Sequence, residues 1–436
     1  MDKEYLFDID DHLPPRSALL YGLQWTVIVF PSLIIISKLA SKTFHMTISE
    51  EVAFLQLTLL VSGFFTSIQC MWGHRYPLVE GPSTAVLLTF LVLAPLGVGA
   101  IQGGTVIGGG LLIVLVLLGK LKRVISYSTP NVVGVILMLV AFSLLPYLIR
   151  SISGVDDFHP NGSSMVLVFS LAVVIVMAAL SNWLKGYWKT ISLLIGILVG
   201  TLVYSLFSVP DFQKIHSSAW LSFPCLWVPV KPNFSWPAMV SFACSYVAVA
   251  VNSLGSLHGI ADITDRKRLA GAVDRGIMIN GVSAICCGLL GIVGTVSYSM
   301  SPGVILANRV ASRFALVYCG LMLVLAAVVP KVAALLALVP APVVGAALCV
   351  AMGVQVGAGL ATVTRDGLAG RDYLVVGVPL LIGTMVGFLP EPLIASMPSA
   401  LRVFIGNGLI VGIFLVLFLE HVILRKTENA PERKNQ

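Results

Sequence analysis

Glu80 has the setting in this chain that most invites chemistry. Of its twenty carboxylates, Glu50 and Glu51 stand at the entrance to an apolar run and Glu420 near the end of one. The others fall in tails or loops, and Glu80 alone lies inside a run, directly before Gly81-Pro82-Ser83-Thr84. A carboxyl taken out of water favours its neutral form, as a group that picks up and releases a proton in a cycle must. The same residue could instead cap the helix that follows or pair with Arg75. Asn252 and Asn280 lie in otherwise apolar stretches, where an amide either hydrogen-bonds a ligand or pins helix to helix. Gln24 beside Trp25 offers an amide and an aromatic face, suited to a flat heterocycle or to ordinary packing. A second interrupted stretch, Tyr298-Ser299-Met300-Ser301-Pro302-Gly303, again gathers hydroxyls at a proline. His74 and His258 fall near the ends of runs, where lone histidines are more often solvated than catalytic. No nucleotide-binding loop, nucleophile elbow or His-Glu-x-x-His motif appears, so no catalytic residue, metal or cofactor is expected. The seven cysteines have no metal or disulfide spacing and read as small, reduced apolar residues.

The elements that must hold these groups follow from composition. The 436 residues are 57% hydrophobic and 11% charged, with a mean hydropathy of +0.96, whereas a soluble chain is about 25% charged. That excludes a water-soluble enzyme, and a net charge of +7 on so few charged residues excludes a dense nucleic-acid-binding face. With about 20 apolar residues per bilayer crossing, spans begin near Ser17, Thr47, Pro82, Ile101, Asn131, Met165, Thr190, Ala238, Gly276, Pro302, Phe314, Pro342, Tyr373 and Leu401. The count is about fourteen, the third and tenth being short and broken. Placing the amino terminus in the cytoplasm puts twenty of the 27 Lys and Arg inside, which predicts an even number of spans and two cytoplasmic termini. The acidic start Met1 to Arg16, with Pro14 and Pro15, lacks the basic region and cleavage site of a secretory signal.

Two offsets suggest a repeat. Pro130 to Gly134 opens the fifth span and Pro340 to Gly345 the twelfth, 211 residues apart glycine to glycine; Pro82 and Pro302 open the short third and tenth spans, 220 apart. Seven spans per copy is odd, so the second copy enters from the opposite side. Val79 to Pro82 and Ser297 to Pro302 are expected to be extended before their helices start, because proline disfavours helix in the residue before it. Broken helices at membrane depth persist where they line a cavity or hold a ligand, and two facing half-helices aim partial positive charge at one spot. Two proline-kinked helices without a ligand are the plain alternative.

At these residues the chain resembles the nucleobase/ascorbate transporter family of uracil and xanthine permeases. Gly22-Leu23-Gln24-Trp25 looks like the family's Gly-Leu-Gln-His, and Val79-Glu80-Gly81-Pro82-Ser83 resembles its Gln-Gly-Thr-Ser before helix three. Pro130 to Gly134 is similar to its Pro-x-x-x-Gly opening of span five. Met300 to Arg309 sits where the signature Gln/Glu-Asn-x-Gly-x-x-x-x-Thr-Arg is expected, keeping Gly303 and Arg309 in register, with Asn308 beside it. The resemblance implies fourteen spans in a seven-plus-seven inverted repeat, a core of spans one to four and eight to eleven, a gate of the rest, homodimers and ion-coupled uptake. It also implies a substrate held between spans three and ten. The chain departs from the pattern at four points: Asn252 replaces the span-eight Glu, Asn280 the span-nine Asp, Met300 the span-ten acid or amide, and Trp25 the His. Asn offers donor and acceptor where a carboxylate only accepts, so the ligand edge should differ from that of uracil or xanthine.

The expected architecture is an all-α polytopic membrane protein with a cytoplasmic tail (1–16), a first repeat (17–207), an extracellular loop (208–236), a second repeat (237–424) and a second cytoplasmic tail (425–436). The expected function is proton symport, by an elevator-type core movement, of a nucleobase-like heterocycle: a purine such as xanthine or urate, or else uracil. Substrate would meet Gln24, Trp25, Ser83, Thr84, Asn252, Tyr298, Met300, Ser301 and Gly303; Glu80 would carry the proton; Gly81, Pro82, Asn280, Pro302, Asn308 and Arg309 would support the site. The expected partners are a small-molecule substrate, a coupling ion (H+), the lipid bilayer of the cell membrane and a second copy of the chain, with no nucleic acid. The alternatives are a small-anion transporter or channel of sulfate-permease-like architecture, and a non-transporting scaffold or receptor.

Overall fold

The computed structural model describes residues 5–121, 127, 129–155, 161–185, 187–207, 215–216, 218–365, 367–397 and 405–425. Among them, eight helices are long and apolar enough to cross a membrane. The helices start where local chemistry supplies the free N–H groups with acceptors. At α1 (Pro15–Thr43) a proline takes the first helical position, where no donor is missed. Thr47 and Glu50 form a reciprocal capping box on α2 (Ile48–Met71), and the Ser83 hydroxyl caps α3 (Thr84–Val92). The chain continues through α4 (Val98–Leu117), α5 (Pro130–Ser143), α6 (Leu145–Ile152), α7 (Ser164–Trp183) and α8 (Ser192–Tyr204). After a long connection come α9 (Trp236–Ile263), α10 (Leu269–Leu290), α11 (Ser301–Asn308), α12 (Arg313–Ala327), α13 (Pro330–Ala337), α14 (Ala341–Val363), α15 (Asp372–Val386) and α16 (Gly408–Phe418). The start of the last span, placed near Leu401 from sequence, lies outside the described residues.

The chain divides into two compact units. The first comprises residues 1–121 and 144–353. Its helices meet along small residues, which membrane packing requires because lipid gives apolar side chains no reason to leave it. A Cβ on Gly63 of α2 would lie 2.4 Å from the Gly320 carbonyl oxygen of α12, and one on Gly109 of α4 would lie 2.6 Å from that of Gly281 in α10. Two short strands, β1 (Glu80–Pro82) and β2 (Thr295–Ser297), pair antiparallel inside this unit, with Glu80 opposite Ser297 and Pro82 opposite Thr295. Segment 208–236 was expected to be a loop; its part from Ser218 on holds no helix before α9 and is tied down, Gln102 donating to the Pro229 carbonyl and Trp227 to that of Gly291. The amino-terminal segment is not a loose tail either. Residues 6–13 run beside the loop that precedes α12, with Ala311 N–H donating to Phe7 O (2.9 Å) and Arg313 N–H to Ile9 O (3.0 Å), and Ile9 and Leu13 are buried.

The second unit comprises residues 122–143 and 354–436, with α5, α15 and α16 at its centre. It contains a buried polar cluster. Asn131 Nδ2 donates to Asp372 Oδ1 (2.9 Å) and Glu420 Oε2 (3.3 Å), and Arg371 pairs with both carboxylates. These carboxylates, and Glu51 paired with Lys38 in the first unit (2.7 Å), are as covered as core residues. Glu80 is therefore not the sole buried carboxylate; the others are hidden because each meets a cation, Glu51 and Glu420 from a separate helix or loop and Asp372 from the adjacent Arg371.

Candidate functional site

The paired strands place two half-helices head to head. β1 leads through Ser83 into α3, and β2 leads through the turn Tyr298–Met300 into α11. The first extended stretch lies within the expected Val79 to Pro82, and the second lies slightly earlier than Ser297 to Pro302. Pro82 is in the strand and Thr84 begins α3, while Ser301 is already helical with Pro302 in the first turn of α11. The reason is the ladder, which holds Thr295–Ser297 straight, and the Ser301 N–H, which turns back onto the Tyr298 carbonyl (3.3 Å).

Glu80 is fully buried at the end of this ladder. Its backbone N–H donates to Thr66 Oγ1 (3.0 Å), and Thr66 Oγ1 donates to the Glu80 carbonyl (3.3 Å), which stitches β1 to α2. Ser297 Oγ donates to Glu80 Oε1, and His74 Nε2 lies 3.7 Å from the same oxygen. Oε2 has no hydrogen-bond partner among the described residues. The Tyr76 N–H donates to His74 Nδ1 (3.0 Å), so the neutral ring carries its hydrogen on Nε2, aimed at Glu80. Glu80 thus neither caps α3, which Ser83 does, nor pairs with Arg75. His74 is fully buried rather than solvated, whereas His258 is exposed.

The remaining predicted residues separate by what their polar atoms already do. Ser83 caps α3, Ser301 Oγ accepts from Val79 N–H (3.4 Å), and Tyr298 OH donates to the Pro82 carbonyl (3.2 Å). Their hydroxyls brace the broken turns. Asn280 Nδ2 donates to Ser253 Oγ (2.8 Å) and its Oδ1 accepts from Gln69 Nε2 (2.6 Å), which joins α2, α9 and α10. Both of its polar groups are thus spent between helices. Replacing it with Leu leaves Gln69 without one acceptor and Ser253 without a donor, at an expected cost of about 1–3 kcal/mol; the check is a lowered Tm of the purified protein with substrate preference unchanged. Asn252 and Thr84 are half-buried and their side chains make no hydrogen bond among the described residues. Met300 is 41% exposed, Gly303 is exposed, and a Cβ on Gly303 would touch nothing. Those four are the groups left free for a ligand. Gln24 and Trp25 are buried within α1, and Trp25 has no open face. Asn308 ends α11; the exposed Arg309 follows in a left-handed conformation (φ 57°), and its carbonyl accepts from Leu6 N–H (2.7 Å).

Sequence reasoning set His74 aside as solvated and missed Gln69 and Thr66, and also Ser256, whose hydroxyl bridges the Asn252 and Ser297 carbonyls (3.0 and 2.9 Å). The filter applied to Asn252 and Asn280, a polar side chain within an apolar run, also picks out Gln69.

Known proteins share this arrangement of elements. Residues 16–392 match the family model Xan_ur_permease, described as a permease family. A Clostridium perfringens chain whose name places it among purine permeases, CPE0397, is 28% identical over 99% of this chain and 95% of its own. The Bacillus subtilis uric acid permease PucK is 25% identical over 95% of this chain and 97% of its own, and the xanthine permease of the same organism 23% over 93% of each. Among solved structures, the transmembrane domain of the cyanobacterial bicarbonate transporter BicA covers 94% of this chain and 98% of its own at a TM-score of 0.56 and 14% identity. Murine Slc26a9, an anion transporter, aligns over 95% of this chain and 69% of its own at a TM-score of 0.60 and 15% identity. The fold is thus that of transporter membrane domains, and the chain belongs to the xanthine/uracil permease family of multi-pass membrane proteins.

Proposed function

We propose that this protein is a proton-coupled permease for a nucleobase-like heterocycle, a purine such as xanthine or urate or else uracil. The observation that carries the reading is the pair of half-helices opening from β1 and β2, with Asn252, Thr84, Met300 and Gly303 left unengaged and a fully buried Glu80 paired with Ser297, the last strand residue before the turn into α11. Asn252 supplies both donor and acceptor to a ring edge, the half-helix N-termini favour its electronegative atoms, and Met300 offers a polarisable apolar face. The uric acid and xanthine permeases among the relatives support this substrate class. Glu80 carries the proton, with His74 as its neighbour.

Fourteen spans in a seven-plus-seven inverted repeat accommodate the contacts. The α2–α12 seam at Gly63 and Gly320 corresponds to the α10–α4 seam at Gly281 and Gly109 when the two halves are exchanged. An elevator movement of a core bearing both half-helices, a homodimer in the cell membrane and two cytoplasmic termini complete the reading. A small-anion carrier is the second reading, favoured by the absence of a carboxylate at Asn252 and Met300 between two half-helix N-termini.

Proteoliposomes carrying the purified chain separate the two. Saturable uptake of labelled xanthine, urate or uracil, driven by an inward proton gradient and indifferent to sulfate, is the expected result. Uptake of sulfate without heterocycle transport would give the second reading, and movement of neither would leave a scaffold or receptor.

A further inference from the structure

A polar cavity of about 270 Å³, apart from Asn252, Thr84, Met300 and Gly303, is lined by Asp10, His74, Arg75, Arg268, Arg275 and Arg313. Its four guanidinium groups come from four separate segments: the loop after α2, the turn before α10, the second turn of α10 and the start of α12. Two of them are already occupied. Asp10, carried in by the docked amino-terminal segment, accepts from Arg313 Nε (2.8 Å) and from both terminal nitrogens of Arg268. Arg268 also pairs with Asp265 (3.0 Å), and Arg313 donates to the Cys70 carbonyl (2.8 Å). The Arg268 hydrogen bond holds the Asp10 carboxyl at about 2, below its ordinary 3.8, against a smaller opposing effect of burial.

Arg75 and Arg275 differ. Neither side chain has a hydrogen bond or ion pair among the described residues, and both are exposed at the cavity. Arg75 also sits at φ 59°, a conformation glycine or asparagine adopts at less cost. Among the described residues the lining thus carries four positive charges and one negative charge, Asp10, with Asp265 also paired to Arg268, and His74 adds none, since its Nδ1 accepts from Tyr76. Arginine forks match phosphate oxygens two at a time, and an oxyanion already sits in one half of the cavity in the form of Asp10.

We propose that this cavity is an anion site for a phosphate group, free or in a lipid headgroup, gripped by Arg75 and Arg275 against a wall made by Asp10, Arg268 and Arg313. The site stands whether or not Glu80 carries the transported proton.

The test uses the full chain in detergent and low-chloride buffer, titrated separately with inorganic phosphate and with short-chain phosphatidylglycerol, with phosphatidylcholine as control; binding is read by calorimetry and by Tm. Saturable binding of phosphate or of phosphatidylglycerol is expected, weakened at least about tenfold in Arg75→Gly/Arg275→Gln, in keeping with the loss of two charge-assisted contacts. It should be unchanged in Arg266→Gln, whose guanidinium pairs with Asp262 outside the cavity. Binding of phosphate alone identifies a free anion as the ligand, and binding of phosphatidylglycerol alone a headgroup. Should the double variant fail to fold, Arg275→Gln alone, at an exposed helix position, must still weaken binding. The proposal is overturned if neither probe binds saturably, if the folded variants bind as the wild type does, or if Arg266→Gln weakens binding equally.

Discussion

Glu80→Gln abolishes proton-driven accumulation of substrate and leaves exchange of labelled for unlabelled substrate running. The amide keeps the shape of the carboxyl and an oxygen for the Ser297 hydroxyl to donate to, so the β1–β2 ladder and both half-helices remain in place. What it loses is an atom that can take a proton. Oε2, which has no hydrogen-bond partner among the described residues, is where a proton would be held in the wild type, with His74 Nε2 3.7 Å from the other oxygen. Each pH unit across the membrane corresponds to about 1.36 kcal/mol, or about a tenfold concentration ratio for one coupled proton. The wild-type ratio should rise by that factor per unit, and the variant should level off at equal concentrations inside and out. Accumulation by the variant that still follows the pH gradient would remove Glu80 from the coupling role. A variant that neither accumulates nor exchanges would show instead that the carboxylate is needed to build the site.

The positions of the helices were legible because lipid imposes a length and proline imposes a break. Pro82 and Pro302 marked the two interruptions from sequence, and the structure places a strand and a half-helix at each. The pairing between the interruptions was not legible. The register that sets Glu80 against Ser297 joins residues more than two hundred positions apart, and no local pattern encodes it. The same distance hid Asn131 as the partner of Asp372 and Glu420. Read singly, each is a charge near a helix end; only folding brings Asn131 to both and Arg371 to Glu420. His74 was read as solvated for the same reason, since its burial depends on strands that follow it and on helices from the other half of the chain. Motif position picked out Ser83, Ser301, Tyr298, Asn252 and Met300 alike as candidates. It could not separate hydroxyls spent on the backbone from an amide with nothing to bond, because that distinction is geometric.

Gly81→Ala and Gly303→Ala should have opposite consequences although both glycines flank a broken turn. A methyl on Gly81 would lie 2.4 Å from Tyr298 Cζ, too close for any real contact, so the ring must leave and the hydroxyl must give up the Pro82 carbonyl. Overpacking of this kind costs about 1–3 kcal/mol, and here the strain falls on the strand pair that sets the two half-helices. The expected result is a lowered Tm together with loss of uptake by at least about tenfold, the rate equivalent of 1.4 kcal/mol. A methyl on Gly303 meets no atom within 4 Å, so Tm should not change. Because Gly303 is exposed on α11 beside Met300, the methyl instead enters the space assigned to the substrate, and KM should rise with the fold intact. Unchanged stability and unchanged KM in Gly303→Ala would mean that this face of α11 does not touch the substrate, and the binding surface would then have to be sought on the α9 side, around Asn252. Paired measurements of Tm and KM on the two alanine variants therefore separate the residues that hold the turns from those that meet the ligand, which neither variant does alone.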